Sequence, residues 1–428
     1  MSTRALLAHP GARRYLAGQV LSMLGDSSMW LACGIWVKTL TGSNGAAGLT
    51  TFFFTAPALL APLAGALVDR LPRRSLLIGA NLAGVVVLVP LLAVRDAGDA
   101  WLVYLVMLMY GALNILIAPA QSALLAELLP ESLRASANGL LRTSQESLRV
   151  LAPLAGAGLF ALLGGVTVAL IDMATFLAAA GFLALLRYPA PPVRRSPAAS
   201  WLHELGAGLR FIAGHRLLRR VTAVTAVATA ALGLGDSLTF AVVDAGLHRP
   251  PEFQGVLQMA QGLGAMAGGL VAATGIRRLG ESRIAGAGML LFGAGAALTA
   301  TPLLAVVLSG RVLMGGGLTV AAIALLTLMQ RLAPHHLQGR VFAGVEVATT
   351  VPQTIAIAVG AQLLSVLDYR LLLGTEAMLL GVAAALLFTD DGGQPTAAGT
   401  LSDDLPAAAT DPDADELTAR GSAAARTG

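Results

Sequence analysis

Apolar runs long enough to cross a bilayer follow one another along almost the whole chain. A helix spanning the hydrocarbon core needs about 20 mostly apolar residues. Twelve such stretches can be drawn, at 15–38, 47–68, 75–94, 101–124, 137–162, 165–187, 217–243, 254–275, 284–301, 303–329, 338–366 and 369–388. Of the 428 residues, 56% are hydrophobic and 12% charged, whereas a soluble globular chain is about a quarter charged. A soluble enzyme cannot hide that much apolar surface. The same figures exclude disordered, collagen-like and disulfide-scaffold chains. Outer-membrane barrels fail too, because their strands are short and alternate. The expected fold class is an all-α polytopic membrane protein with twelve transmembrane helices. The first run holds Asp26 in its middle and continues into further spans, so it does not read as a cleaved leader.

Basic residues sort by loop. One side carries Arg4, Arg13, Arg14, Arg70, Arg73, Arg74, Arg134, Arg187, Arg194, Arg195, Arg210, Arg216, Arg219, Arg220, Arg277, Arg278, Arg283, Arg331 and Arg340. The other carries Lys38, Arg95, Arg249 and Arg370. The positive-inside rule places the first group and both termini in the cytoplasm. Cys33 is the single cysteine and Lys38 the single lysine. The arginine bias and the Ala/Gly/Leu richness point to a GC-rich, bacterial genome and a cell-membrane location. Four regions follow: a six-helix half over 1–187, a linker over 188–216, a second six-helix half over 217–388, and an acidic tail over 389–428 expected to be disordered. In the linker, Trp201, Leu202, Leu205, Leu209 and Ile212 share a helix face, expected on the inner membrane surface.

The halves repeat each other. Leu24-Gly25-Asp26-Ser27 returns as Leu234-Gly235-Asp236-Ser237, and Leu63-Ala64-Gly65 parallels Met266-Ala267-Gly268. A constant offset of 204 residues relates Pro130 to Pro334, Leu133 to Leu337 and Gly156 to Gly360. Two parallel six-helix halves with a site between them are a transporter architecture.

The most specific stretch is Gly65-Ala66-Leu67-Val68-Asp69-Arg70-Leu71-Pro72-Arg73-Arg74. It resembles the loop 2–3 signature of the major facilitator superfamily, G-x-L-x-D-R-x-G-R-R/K, with Pro72 in place of a glycine. The resemblance implies the major facilitator fold and a conformational latch of Gly65, Asp69, Arg70, Arg73 and Arg74. Glu127 is expected to pair with Arg70, and Asp69 to meet a helix N-terminus near Gly339. Leu24-Gly25-Asp26, Thr41-Gly42-Ser43, Asp69-Arg70, Ala137-Asn138-Gly139 and Gly339-Arg340-Val341-Phe342 resemble one branch. That branch is the drug:proton antiporters close to macrolide-efflux and siderophore-exporter permeases. Its usual G-P-x-x-G in span 5 is here Ala152-Pro153-Leu154-Ala155-Gly156.

Ionisable residues inside a membrane are costly and point to function. Asp26 and its repeat mate Asp236 are the expected proton-coupling carboxylates, with Glu146 a third. Asp172 and Glu376, on spans 6 and 12, are expected to be structural. Arg142, Glu146 and Arg149 lie on one face of span 5, within pairing reach of one another. Glu346, Thr350 and Gln353 repeat that spacing on span 11. The expected substrate cavity comprises Trp30, Asn114, Gln121, Arg149, Phe240, Gln258, Gln261, Arg311, Glu346 and Gln353. Trp30 and Phe240, four residues beyond the two aspartates, would suit amphipathic cations.

No G-x-x-x-x-G-K-[ST], H-E-x-x-H, G-x-S-x-G or Cys/His cluster occurs in the chain. No cofactor, metal, enzymatic activity or nucleic-acid partner is expected. The expected partners are a small-molecule substrate, protons and the bilayer, with the chain working as a monomer. The function expected is proton-coupled efflux by alternating access, as in multidrug resistance. An importer or lipid/glycolipid flippase is the alternative on the same fold, and a membrane sensor or enzyme the alternative in another class.

Overall fold

The structure is a computed structural model and describes residues 10–61, 64, 68, 70–186, 201–334 and 337–388. Gly65, Asp69 and the acidic tail lie outside the described residues. The remainder is helical. The helices are α1 (Pro10–Thr41), α2 (Asn44–Thr55), α3 (Arg73–Leu88), α4 (Ala100–Leu128), α5 (Glu131–Ala184) and α6 (Trp201–Gly214). They continue as α7 (Arg216–Ala241), α8 (Gln254–Leu279), α9 (Glu281–Thr299), α10 (Leu304–Leu332), α11 (Gln338–Leu363) and α12 (Tyr369–Phe388).

Ten described helical segments are long and apolar enough to cross a membrane. Two features reconcile that number with twelve crossings. First, α5 has 54 residues, and a single rod of that size would run roughly 80 Å against a core about 30 Å thick. It breaks at Gly164, whose φ of 75° only glycine adopts readily. The parts before and after Gly164 are spans 5 and 6. Second, span 2 is not one continuous α-helix. After α2 it tightens into a 3₁₀ segment, Ala56–Leu60, with Pro57 in its first turn. Proline lacks the N–H that an α-helical ladder requires.

The Thr41-Gly42-Ser43 motif is a sharp helix-to-helix turn. Gly42 has φ +66°, which closes α1. The Ser43 hydroxyl then caps α2 by accepting from the Ala46 N–H at 3.2 Å.

The halves are built alike. In the first, span 1 packs on spans 5 and 6, span 2 on span 4, and span 3 on spans 4 and 6; α7 to α12 repeat these partnerships. Glycines set the close approaches, as membrane helix packing requires. Gly156 lies against Ser28 and its 204-offset mate Gly360 against Ser237. Gly264 lies on the backbone of Val312, and Gly315 on that of Gln261. A Cβ at Gly264 would collide with immovable backbone, so Gly264→Ala is expected to destabilise the α8–α10 contact by about 1–3 kcal/mol. Gly269, whose nearest neighbour would be Thr319 Cγ2 at 3.9 Å, is the control. A melting curve of the detergent-purified protein should fall for Gly264→Ala and stay unchanged for Gly269→Ala.

The linker helix α6 forms, but its face is split. Ile212 is buried, Leu209 is 39% exposed, and Gly208 sits on the Arg340 backbone at the start of α11. Ile212 therefore packs on protein rather than on lipid.

Candidate functional site

Two polar clusters lie midway along the spans, one in each half. In the first, the Tyr110 hydroxyl of α4 lies 2.6 Å from Asp26 Oδ1 and 2.9 Å from Asp172 Oδ2. Gly25 makes this possible. Its bare Cα lets the Asp172 carboxyl and the Thr175 hydroxyl lie directly on α1. Thr175 Oγ1 is 2.8 Å from the Asp172 carbonyl oxygen and 3.1 Å from Oδ1. Asp172 is 1% exposed, whereas Asp26 is half-buried.

The second cluster stands at the equivalent place. Gly235 receives the Glu376 carboxyl of α12 as Gly25 receives Asp172. Arg311 of α10 is the cation of this cluster, and its charge acts on both Glu376 and Asp236. Its Nη1 donates to Gln261 Oε1 at 3.3 Å. Arg311 and Glu376 are buried, and among the described residues neither Glu376 carboxyl oxygen nor Arg311 Nε meets a hydrogen-bond partner. Asp236 is the exposed member, and the field of Arg149, from the other half, reaches it.

The expected cavity residues divide. Asn114, Arg142, Glu146, Arg149 and Glu346 are exposed, while Trp30, Gln121, Gln258, Gln261 and Gln353 are half-buried. Among the described residues Glu146 forms no ion pair with Arg142 or Arg149, although both lie within its reach on the same helix. Phe240 is buried and wedges its ring against Gly34 of the opposite half. It belongs to the contact between halves rather than to an open cavity wall.

That contact lies at the end away from the arginine-rich loops. Lys38 Nζ donates to Asp244 Oδ2 and to the Gly42 carbonyl, both at 2.6 Å. Asn44 Nδ2 donates to the same Asp244 oxygen at 3.2 Å. Nearby, Gly48 lies on Ser237 and Gly45 on the Ala361 carbonyl. Neither Lys38 nor Asp244 was expected as a site residue. Their only sequence signal is that Lys38 is the sole lysine, placed where the loops carry few basic residues.

At the arginine-rich end the expected pairing shifts by three residues. Glu127 approaches Arg73 Nε at 3.8 Å, and Arg70 is exposed. The cause is the start of α3 at Arg73, which aims that side chain at the end of α4. Arg74 instead reaches span 6, donating to the carbonyls of Leu183 at 2.9 Å and Ala184 at 2.6 Å.

Paired six-helix halves with buried mid-span charges and a contact at one end define a membrane transporter rather than an enzyme. The sequence profile of the Major Facilitator Superfamily matches residues 15–244 and again 225–412. The chain belongs to that superfamily and is a multi-pass membrane protein. It is 26% identical over 374 residues to the uncharacterized MFS-type transporter YfiS of Bacillus subtilis (strain 168), covering 82% of this chain and 86% of the relative. Its fold resembles that of the nucleoside transporter NupG, with a TM-score of 0.72 at 13% identity, covering 88% of this chain and 99% of the other. It also resembles a bacterial homologue of the iron transporter ferroportin in its inward-facing state. There the TM-score is 0.67 at 16% identity, with 91% and 99% covered.

Proposed function

We propose that this transporter exports small hydrophobic or amphipathic compounds from a bacterial cell by proton antiport. The observation that carries the reading is the pair of mid-span carboxyls, Asp26 and Asp236, on equivalent helices. Each is backed by a second buried carboxyl. A carboxyl at that depth can take up a proton, cross as a neutral group, and release the proton on the other side.

The loop arginines support cytoplasmic termini. With that orientation the Lys38–Asp244 contact closes the outer side. Arg149, Gln258, Gln261, Arg311, Glu346 and Gln353 then surround the path of the substrate. Asp69, Arg70, Arg73 and Glu127 form the opposite closure when the halves rock. The resemblance to macrolide-efflux and siderophore-exporter permeases supports the outward direction.

The test uses acidified everted vesicles containing the protein and a pH-sensitive dye. Hydrophobic cations, macrolides and siderophores are added in turn. Alkalinisation that depends on both compound and protein is the expected result. Compound uptake that leaves the dye signal unchanged, or that acidifies the lumen further, would overturn proton-coupled export.

A further inference from the structure

Asp26, Tyr110 and Asp172 present a hydrogen-counting problem. Two carboxyl groups approach one phenolic oxygen, at 2.6 and 2.9 Å. The phenol has one hydrogen to donate. If both carboxyls were ionised, one of these close O···O contacts would hold no hydrogen. It would set a negatively charged oxygen against the lone pairs of another. The remaining donors do not solve this. Thr175 Oγ1 divides its hydrogen between the Asp172 carbonyl and Oδ1, and Ser22 Oγ stands 3.5 Å from Asp26 Oδ2.

No cation solves it either. Among the described residues no lysine, arginine or histidine forms an ion pair with Asp26 or Asp172. The other titratable group on which the charge of Asp172 bears is the buried Cys33 thiol of α1. Two unpaired negative charges in this setting carry a large desolvation cost. One added proton removes both difficulties.

We propose that Asp26, Tyr110 and Asp172 form one proton-binding site, in which two carboxyls share a single acid proton through the phenolic hydroxyl. Asp172 holds the proton and donates to Tyr110 Oη, and Tyr110 donates its own hydrogen to ionised Asp26. The distances fit this order, because 2.6 Å is typical of an O–H donating to a charged oxygen. A shift of both hydrogens along the chain moves the acid proton from Asp172 to Asp26 without moving a heavy atom far. Asp172, on span 6, is thus a proton-holding residue rather than a helix-packing one.

Room for a water lies one helical turn from the site. A narrow cleft of about 10 Å³, room for about one water, lies among α1, α3, α4 and span 6, lined in part by Gln19, Ser22, Asn81 and Gln121. It lies toward the arginine-rich end and reaches Ser22, one helical turn from Asp26. Its polar lining suits water, which can carry protons to and from the outermost carboxyl.

This inference rests on the export reading only for the use made of the proton. Its test therefore needs no transport. The full-length protein in lipid nanodiscs is examined by infrared difference spectroscopy at neutral pH, where the carbonyl stretch of a protonated carboxyl is resolved. Asp26→Asn and Asp172→Asn are each expected to lose the same single acid band, and the double variant to lose no more. Losses that add, or no loss in either variant, would overturn the shared site. Where an Asn variant fails to fold, Tyr110→Phe serves. The shared band should move in frequency when its phenolic partner is removed, and an unmoved band counts against the proposal. Failure here leaves proton-coupled export standing, and failure of the vesicle test leaves the shared site standing.

Discussion

Asp26→Asn is expected to leave a folded, membrane-inserted protein that can no longer move its substrate uphill. A one-unit pH difference supplies about 1.4 kcal/mol per proton, enough to sustain roughly a tenfold substrate gradient at one proton per molecule. The variant should sustain none, and the steady-state distribution of the compound across energised vesicles should collapse to the passive level. Asparagine keeps the size of the side chain and an oxygen that can accept from Tyr110, so packing against α4 should survive. Exchange of labelled for unlabelled compound without a proton gradient should therefore continue in the variant. That split separates a coupling role from a structural one. A variant that still concentrates its substrate removes Asp26 from the coupling path. A variant that loses exchange and uphill movement together shows that Asp26 is needed for the transport movement itself.

The second large effect is expected at the opposite closure. Lys38 joins the two halves through Asp244, with the lysine side chain 8% and the aspartate side chain 49% exposed. Exposed pairs contribute about 0–1 kcal/mol and removal of one partner of a buried pair costs about 3–5. This half-buried pair falls between. Lys38→Met should weaken the closure by about 2 kcal/mol, roughly a thirtyfold shift in the balance between closed and open ends. Ser237 reports the shift, because it is 0% exposed beneath Gly48 in the closed arrangement. In a Cys33→Ala background, Ser237→Cys should react slowly with a water-soluble maleimide, and faster once Lys38→Met is added. Exchanging the charges, Lys38→Asp with Asp244→Lys, should return the slow rate. Equal rates in all three backgrounds would mean that the ion pair does not hold the halves together.

The spans and the repeat were legible because they depend on properties that run along the chain: hydropathy, recurring motifs and a fixed offset. Gly25 and Gly235 could be picked out as repeat mates from sequence. Their physical role, admitting a carboxyl from a neighbouring helix, could not, because it depends on which faces meet. Asp172 and Glu376 were expected to be structural, although they are related by the same 204-residue offset that pairs Gly156 with Gly360. That offset was the signal that could have tied them to the two aspartates. Tyr110 carried no signal at all, since an aromatic residue in an apolar span reads as packing. Arg73 in place of Arg70 at Glu127 is a difference of three residues, between a loop position and the first residue of α3 after Pro72. The breaks at Pro57 and Gly164 follow from residue chemistry. Their effect on how many separate helices form needed the three-dimensional structure.

The sole lysine has one more consequence. Lys38 carries the only ε-amine of the chain and is 7% exposed, shielded by the very contact it makes. A membrane-impermeant acylating reagent applied on that face finds its single lysine target only while the halves stand apart. Acylation also neutralises the amine, so a modified molecule cannot remake the bond to Asp244. The fraction of chains carrying the added mass then records how many have visited the opened form at least once.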